Sequence, residues 1–259
     1  MAADGLHIAL SAEPVALVGN FVITNSMFTN VVVSAILIIF AILVNRSLKN
    51  TTKPTGLQNV AEGIIEALYN FVNSVTNNPK RTRLFLPLIS TFFLFILLNN
   101  WLGLIPGVGT IVVHNPLEVL EAGEKAHAAV PLFRPGTADL NTTLALGMIS
   151  IIAVQFYGLY FQKLAYLKKY INFDSPVLFF VGILELISEF AKIISFGFRL
   201  FGNIFAGEVL LVVLTYLTGV IAPMPFYGLE IFIGFIQALV FAMLSLVFYN
   251  MAAESHDEH

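Results

Sequence analysis

Between Ser175 and Ala222 the chain carries no proline after Pro176 and no polar loop. Drawn as one helix, that run is roughly 70 Å long, more than twice a hydrocarbon core of about 30 Å. Two readings fit it: two spans joined by a concealed turn, or one long helix that is strongly tilted or kinked. No turn chemistry interrupts the run, which favours a single crossing. Either reading needs lipid as the solvent. Of all residues 58% are hydrophobic and only 11% charged, whereas a soluble domain carries about a quarter charged residues. Such a chain cannot hide its apolar surface in one water-soluble core.

The remaining segments complete an all-α, polytopic membrane protein with about five membrane-crossing helices. Residues 1–26 form an N-terminal segment, and 27–44 are an apolar span ended by Asn45, Arg46 and Lys49. Residues 54–78, opened by Pro54, differ in character. Leu57, Val60, Ala61, Ile64, Ile65, Leu68 and Val72 recur at helical spacing, with Asn59, Glu62, Glu66 and Asn70 between them. That is the pattern of an amphipathic helix on a membrane surface or against another helix. A second span, 84–106, follows the basic cluster Lys80, Arg81 and Arg83 and holds Trp101 near its end, where indoles favour the interface. Residues 107–139 read as a polar loop with Glu118, Glu121, Glu124 and Asp139. A third span, 140–162, is closed by Lys163, Lys168 and Lys169. Segments 175–222 and 226–251 then form a long helical hairpin across Pro223 and Pro225, followed by a short polar tail.

Charge asymmetry orients the spans. The 45–83 connection and the stretch after Phe161 are basic, and the 107–139 loop is net acidic. Basic loops face the cytoplasm, so the N-terminus is expected outside and, with one crossing by 175–222, the C-terminus inside. The first residues hold Asp4 and Glu13 and lack a basic stretch ahead of an apolar one, so no cleaved signal is expected and the first span serves as an uncleaved one. With a net charge of -3 and no basic patch to track phosphates, nucleic acid is not an expected partner. There are no cysteines, which removes disulfides, thiolate metal sites and cysteine nucleophiles. His7, His114, His127, His256 and His259 all fall outside the spans, and no Gly-x-Ser-x-Gly or His-Glu-x-x-His occurs. An intramembrane enzyme needs such a set. A self-contained exchanger would show inverted repeats, and none is visible. No cofactor or metal is expected.

The residues that carry chemistry are the charges inside the last two helices: Glu185, Glu189, Lys192, Arg199 and Glu208 on one, Glu230 at the start of the other. A charge at mid-bilayer costs several kcal/mol, which makes each a functional candidate. At 100° per residue, Glu185, Ser188, Lys192, Ser195 and Asn203 all lie within about 40° of Arg199, whereas Glu208 points about 180° away. One polar stripe thus leads to Arg199, and a second polar position faces the other way. Glu230, Gly234 and Gln237 share one face of the last helix and meet the Glu208 face if the two helices pair antiparallel. Arginine does not give up its proton in proteins, so Arg199 suits a fixed positive charge better than a proton carrier. The plainer alternatives are that Arg199 snorkels or pairs with a buried acid, and that Glu185, Glu189 and Lys192 form a surface network. Asn99 and Asn100 read as helix–helix hydrogen-bonding residues, and His256 and His259 as a solvated tail.

The stretch Ser195-Phe-Gly-Phe-Arg199-Leu-Phe-Gly-Asn203-Ile-Phe-Ala-Gly207-Glu208 resembles the signature of the ATP synthase subunit a family. Asn100-Trp-Leu-Gly-Leu-Ile-Pro106, Thr137-Ala-Asp139-Leu-Asn141-Thr-Thr and Phe235-Ile-Gln237-Ala-Leu-Val-Phe241 are similar to further family segments. The resemblance implies a non-catalytic stator subunit of a rotary ATP synthase, whose tilted hairpin wraps a ring of c subunits. It implies two offset half-channels, with the essential arginine at Arg199. Glu208, Glu230, Asn203 and Gln237 fall on the outer path, and Glu185, Ser188 and Lys192 on the inner. The implied partners are the c-subunit ring, the peripheral-stalk b subunits, the rest of the F-type complex and the lipid bilayer. The implied location is a bacterial inner membrane. Many members pair an acid with a histidine at the positions of Glu208 and Glu230. Two glutamates stand here, and repulsion between them leads to the expectation that they share a proton as a coupled relay.

Overall fold

The computed structural model describes residues 11–19, 21–47, 56–105, 107–114, 129–170, 175–219 and 221–254. Asp4, His7, Lys49, Pro54, Pro106, Glu118, Glu121, Glu124, His127, His256 and His259, together with the side chains of Leu57 and His114, lie outside the described residues. Among the described residues six α-helices make up most of the structure: α1 (Asn25–Ser47), α2 (Gly56–Thr76), α3 (Pro79–Leu102), α4 (Leu140–Gln162), α5 (Pro176–Thr218) and α6 (Met224–Ala253). Asn25–Arg46, Pro79–Leu102, Leu140–Lys169 and Met224–Ala253 are long and apolar enough to cross a membrane. The long run is one unbroken helix of 43 residues, α5.

Local sequence explains where the helices begin and end. Asn78 caps α3, its side-chain oxygen accepting from the backbone N–H of Lys80 at 3.0 Å, and Pro79 occupies the first helical position, where no N–H is needed. The basic cluster Lys80, Arg81 and Arg83 therefore sits inside the first turns of α3, and the helix stops at Leu102, shifted toward the N-terminus from the expected 84–106. Asp139 caps α4 by accepting from the N–H of Asn141 at 3.0 Å. α5 ends at Gly219, whose φ of 76° is the left-handed conformation that closes helices. Four residues later Pro223 closes the turn into α6, with the Met224 N–H donating to the Ile221 carbonyl at 3.3 Å.

Two short antiparallel ladders were not foreseen from the sequence. β1 (Pro14–Val18) pairs with β2 (Phe21–Thr24) in the N-terminal segment. β3 (Val112–His114) pairs with β4 (Ala129–Pro131) within the stretch read as a polar loop.

The chain divides into two units. The first comprises Met1–Ile38, Leu94–Thr143 and Phe198–Ala238, and side-chain hydrogen bonds hold much of it. Ser26 donates to Asp139 at 2.8 Å, Asn30 to Thr142 at 3.0 Å and Thr137 to Asn100 at 2.6 Å. Asn100 in turn donates to the backbone oxygen of Gly234 at 2.8 Å, and the Trp101 indole to that of Ile231 at 3.1 Å. In a membrane these bonds serve where the hydrophobic effect between helices is absent. Gly136 packs so closely on Asn30 and Asn99 that a Cβ there would overlap the Asn30 carbonyl.

The second unit comprises Ile39–Phe93, Leu144–Gly197 and Leu239–His259. Its core is aromatic. Phe85 lies edge-on to Tyr157 at 4.8 Å and to Tyr249 at 5.8 Å between ring centres, and Phe196 meets Phe241 at 5.0 Å. Ser150 and Ser245 hydrogen-bond at 2.7 Å across α4 and α6. Arg81 reaches the end of α6, donating to the Ala253 carbonyl at 3.2 Å, where a cation complements the helix dipole. On α2, Ala61, Leu68 and Val72 are buried while Glu62 and Glu66 are exposed, so this helix is two-sided.

Candidate functional site

Among the described residues, each unit contains a cavity lined in part by charged side chains. In the first unit, a cavity of about 350 Å³ is lined by Asn100, Glu208, Tyr227 and Glu230 among apolar neighbours such as Ile204 and Leu211. α5 and α6 run antiparallel here, so Glu208 and Glu230 come to one place from either side of the Pro223 turn. Gly207 leaves room for this position: a Cβ on it would overlap the Glu230 carboxyl, which would have to move aside.

Glu208 has a cationic partner from outside the hairpin. Arg134, from the loop before α4, donates Nε to Glu208 Oε2 at 3.2 Å. The guanidinium is buried, and it is held in place by several groups. Its Nη1 donates to the backbone oxygen of Ser11 at 2.9 Å, its Cζ lies 5.8 Å from the Phe205 ring centre, and the Arg134 backbone N–H donates to the Thr29 hydroxyl at 3.3 Å. Glu13 adds a second negative charge close enough to act on Glu208.

On α5 of the same unit, Arg199, Gly202, Asn203, Ala206 and Leu210 are exposed. Arg199 lines neither cavity. Asn203 donates to the Arg199 backbone oxygen at 2.9 Å. Apart from the arginine itself, the exposed residues here are mostly small, so a neighbouring helix can approach this face closely.

In the second unit, a cavity of about 720 Å³ is lined by Arg81, Lys169, Glu185, Glu189, Lys192 and Glu254, among others. Lys169 binds Glu185 at 2.7 Å and reaches Glu189 at 4.0 Å. Lys192 binds Glu189 at 2.8 Å and stands 4.8 Å over the Phe248 ring. Tyr170 donates to Gln155 at 3.0 Å, with Glu189 at 3.5 Å and the Tyr166 hydroxyl at 3.1 Å. Burial pushes the Tyr170 phenol well above its ordinary range, and the Tyr166 bond and the Glu189 charge push the same way. The hydroxyl therefore stays protonated at neutral pH. Among the described residues no group of three or more histidines, aspartates or glutamates converges to hold a metal.

Comparison with known proteins decides the family. The sequence profile of the ATP synthase A chain matches residues 27–250. ATP synthase subunit a of Gloeobacter violaceus is 35% identical over 258 residues, covering 98% of this chain and 92% of that protein. The chain belongs to the ATP synthase subunit a family. It is thus a non-catalytic, proton-translocating membrane subunit of F-type ATP synthase.

Within this subunit a fold, the residues singled out from sequence divide. Glu208 and Glu230 meet in the first cavity, and Glu185 and Lys192 in the second. Asn203 and Gln237 line neither, and Ser188 is absent from the second cavity's lining. Glu189 is buried, so the Glu185–Glu189–Lys192 group is more than the surface network that spacing alone allowed. The expected pair of mutually repelling carboxylates at Glu208 and Glu230 gains a guanidinium. Arg134, Tyr170 and Gln155 were missed altogether. Arg134 had one visible signal, as a lone arginine in a loop read as acidic. Tyr170 and Gln155 had none, because their contacts join segments far apart in sequence.

Proposed function

We propose that the two cavities are two offset half-channels that deliver protons to, and collect them from, carboxylates on a ring of c subunits, with Arg199 as the fixed charge that stops protons passing directly between them. Glu208 and Glu230, with Asn203 and Gln237 nearby on the same helices, serve the outer route. Glu185 and Lys192, with Ser188 on the same helix, serve the inner one. The observation that carries this reading is that α5 contributes acids to two separate polar cavities while its one arginine lines neither and stands on an exposed, small-residue face. An always-charged guanidinium on that face attracts an ionised carboxylate from a neighbour and repels a hopping proton. A carboxylate that must pass it does so only ionised, so it has to lose its proton into one route and regain one from the other. Proton flow then forces the ring to turn, and the turning drives ATP synthesis in the soluble head.

The same reading places the N-terminus outside and the C-terminus in the cytoplasm of a bacterial inner membrane, with the peripheral-stalk b subunits holding the stator still. The test is Arg199→Ala in membrane vesicles, followed by ATP-driven proton pumping and by passive proton leak. Loss of coupled pumping, with a leak that persists or rises, is expected. Normal coupled pumping would make Arg199 structural and end the reading.

A further inference from the structure

Glu189 is the most buried acid of the second cavity. Its side chain is 7% exposed, against 31% for Glu185 on the same helix. Its two oxygens have different surroundings. Oε1 takes the Lys192 ammonium at 2.8 Å, with the Tyr170 hydroxyl at 3.5 Å and Lys169 at 4.0 Å. Oε2 is buried and accepts no hydrogen bond from any group among the described residues, although Glu189 lines a cavity of about 720 Å³. A buried carboxylate oxygen without a donor is costly. A group that only anchored Lys192 would have no reason to keep one.

From this geometry we infer that Glu189 is a further proton-relay residue of the inner route, taking and releasing protons at Oε2 while Oε1 stays bound. The inference rests on the two-route reading above and adds a residue to it. Once the carboxyl turns Oε2 toward the cavity that Glu189 lines, a hydronium there gives its proton to Oε2, leaving water and a carboxylic acid. A second water takes the proton back and restores the carboxylate. Water is the only co-reactant, and no charge is left behind. The groups facing Glu189 suit this exchange. Lys192 and Glu185 come from its own helix, Lys169, Tyr166 and Tyr170 from the segment after α4, Gln155 from α4, Arg81 from α3 and Glu254 from the end of α6. Lys192 keeps Oε1 oriented, with the Tyr170 hydroxyl beside it. Lys169 bridges Glu185 and Glu189, so the more exposed acid lies beside the buried one in the same cavity.

The experiment uses the intact ATP synthase complex in liposomes, with ATP-driven acidification as the readout and subunit content as the check on assembly. Glu189→Gln keeps the shape and removes the titration, and pumping should fall by more than about tenfold. Glu189→Asp keeps a carboxyl and should recover most of it. Pumping by E189Q within twofold of the parent overturns the inference, and so does an E189D complex that assembles but pumps no better than E189Q. Should E189Q fail to assemble, Glu189→His decides instead. A relay then titrates in the imidazole range near pH 6.5, and a pH profile parallel to the parent's overturns the inference. Glu208→Gln is run alongside. Normal pumping by E208Q would bring down the two-route reading itself, whereas loss in E208Q with normal E189Q removes Glu189 alone.

Discussion

The cavity around Glu208 and the cavity around Glu189 are lined by the same two long helices, yet their charges are held in different ways. At Glu208 the counter-charge is one arginine, buried, clamped by the Ser11 carbonyl and by Phe205, and supplied by a loop. At Glu189 and Glu185 it is two lysines on flexible stems, each a third exposed or less, with a tyrosine hydroxyl beside them. A guanidinium in a fixed fork holds one geometry, whereas an ammonium on a four-carbon stem can follow a carboxylate that moves or changes charge. The first cavity is therefore built around a set position and the second around exchange among neighbours. Variants at the two cavities should fail differently.

The largest difference should come from the acids of the first cavity. Glu230→Gln in the reconstituted complex should lower ATP-driven pumping about a hundredfold, because no second acid shares a bridging cation with it. A loss below about fivefold would mean that water alone carries protons there. Arg134→Leu comes next. It leaves Glu208 without its guanidinium, and breaking a buried pair costs about 3–5 kcal/mol, less here because Glu208 keeps 32% of its side-chain surface exposed. We expect about a tenfold loss of pumping and a lower melting temperature of the complex, with Arg134→Lys recovering only part. Full recovery by lysine would show that a point charge suffices and would erase the contrast between the cavities. Gly207→Val should displace the Glu230 carboxyl and cut pumping several-fold without loss of assembly. An unaffected G207V complex would mean that Glu230 has another place to go.

The lysine side should be forgiving. Lys169→Ala removes a pair that is a third exposed on both partners, worth about 0.5–1 kcal/mol, and should change pumping by less than about threefold. A loss as large as that of Arg134→Leu would make the two cavities alike. Tyr170→Phe should have the smallest effect, about twofold, and equally so at pH 6 and pH 9. The fold favours the neutral phenol, whose raised pKa means that its contribution holds below about pH 10 and fades above it. An effect that disappears between those two pH values would show that the hydroxyl ionises within that range.

How much of this was legible depended on the kind of contact. Helical phase put Arg199 and Asn203 on one face and Glu208 on the other, because angle along a helix follows from residue number. The absence of a polar loop, or of any proline after Pro176, between Ser175 and Ala222 was enough to favour a single crossing. The meeting of Glu208 and Glu230 followed from antiparallel pairing across Pro223. Arg134, Tyr170 and Gln155 could not be found this way, since each reaches its partner across segments whose spacing carries no period. Glu189 was visible as a charge, but its burial depends on what packs over it. The β1–β2 ladder had a usable signal in Gly19-Asn20 between apolar runs, and it was overshadowed by the longer helical patterns.

The unbroken course of α5 has a mechanical consequence. Over 43 residues, about 65 Å, its hydrogen-bonded ladder has no proline after Pro176 in the first position and no bulge at which to hinge. A neighbour that pushes sideways on the exposed Arg199 face therefore loads a stiff beam, and the load spreads along its length without being absorbed at a joint. A helix split at its middle would yield to that push. This one can act as the unyielding surface against which something else turns.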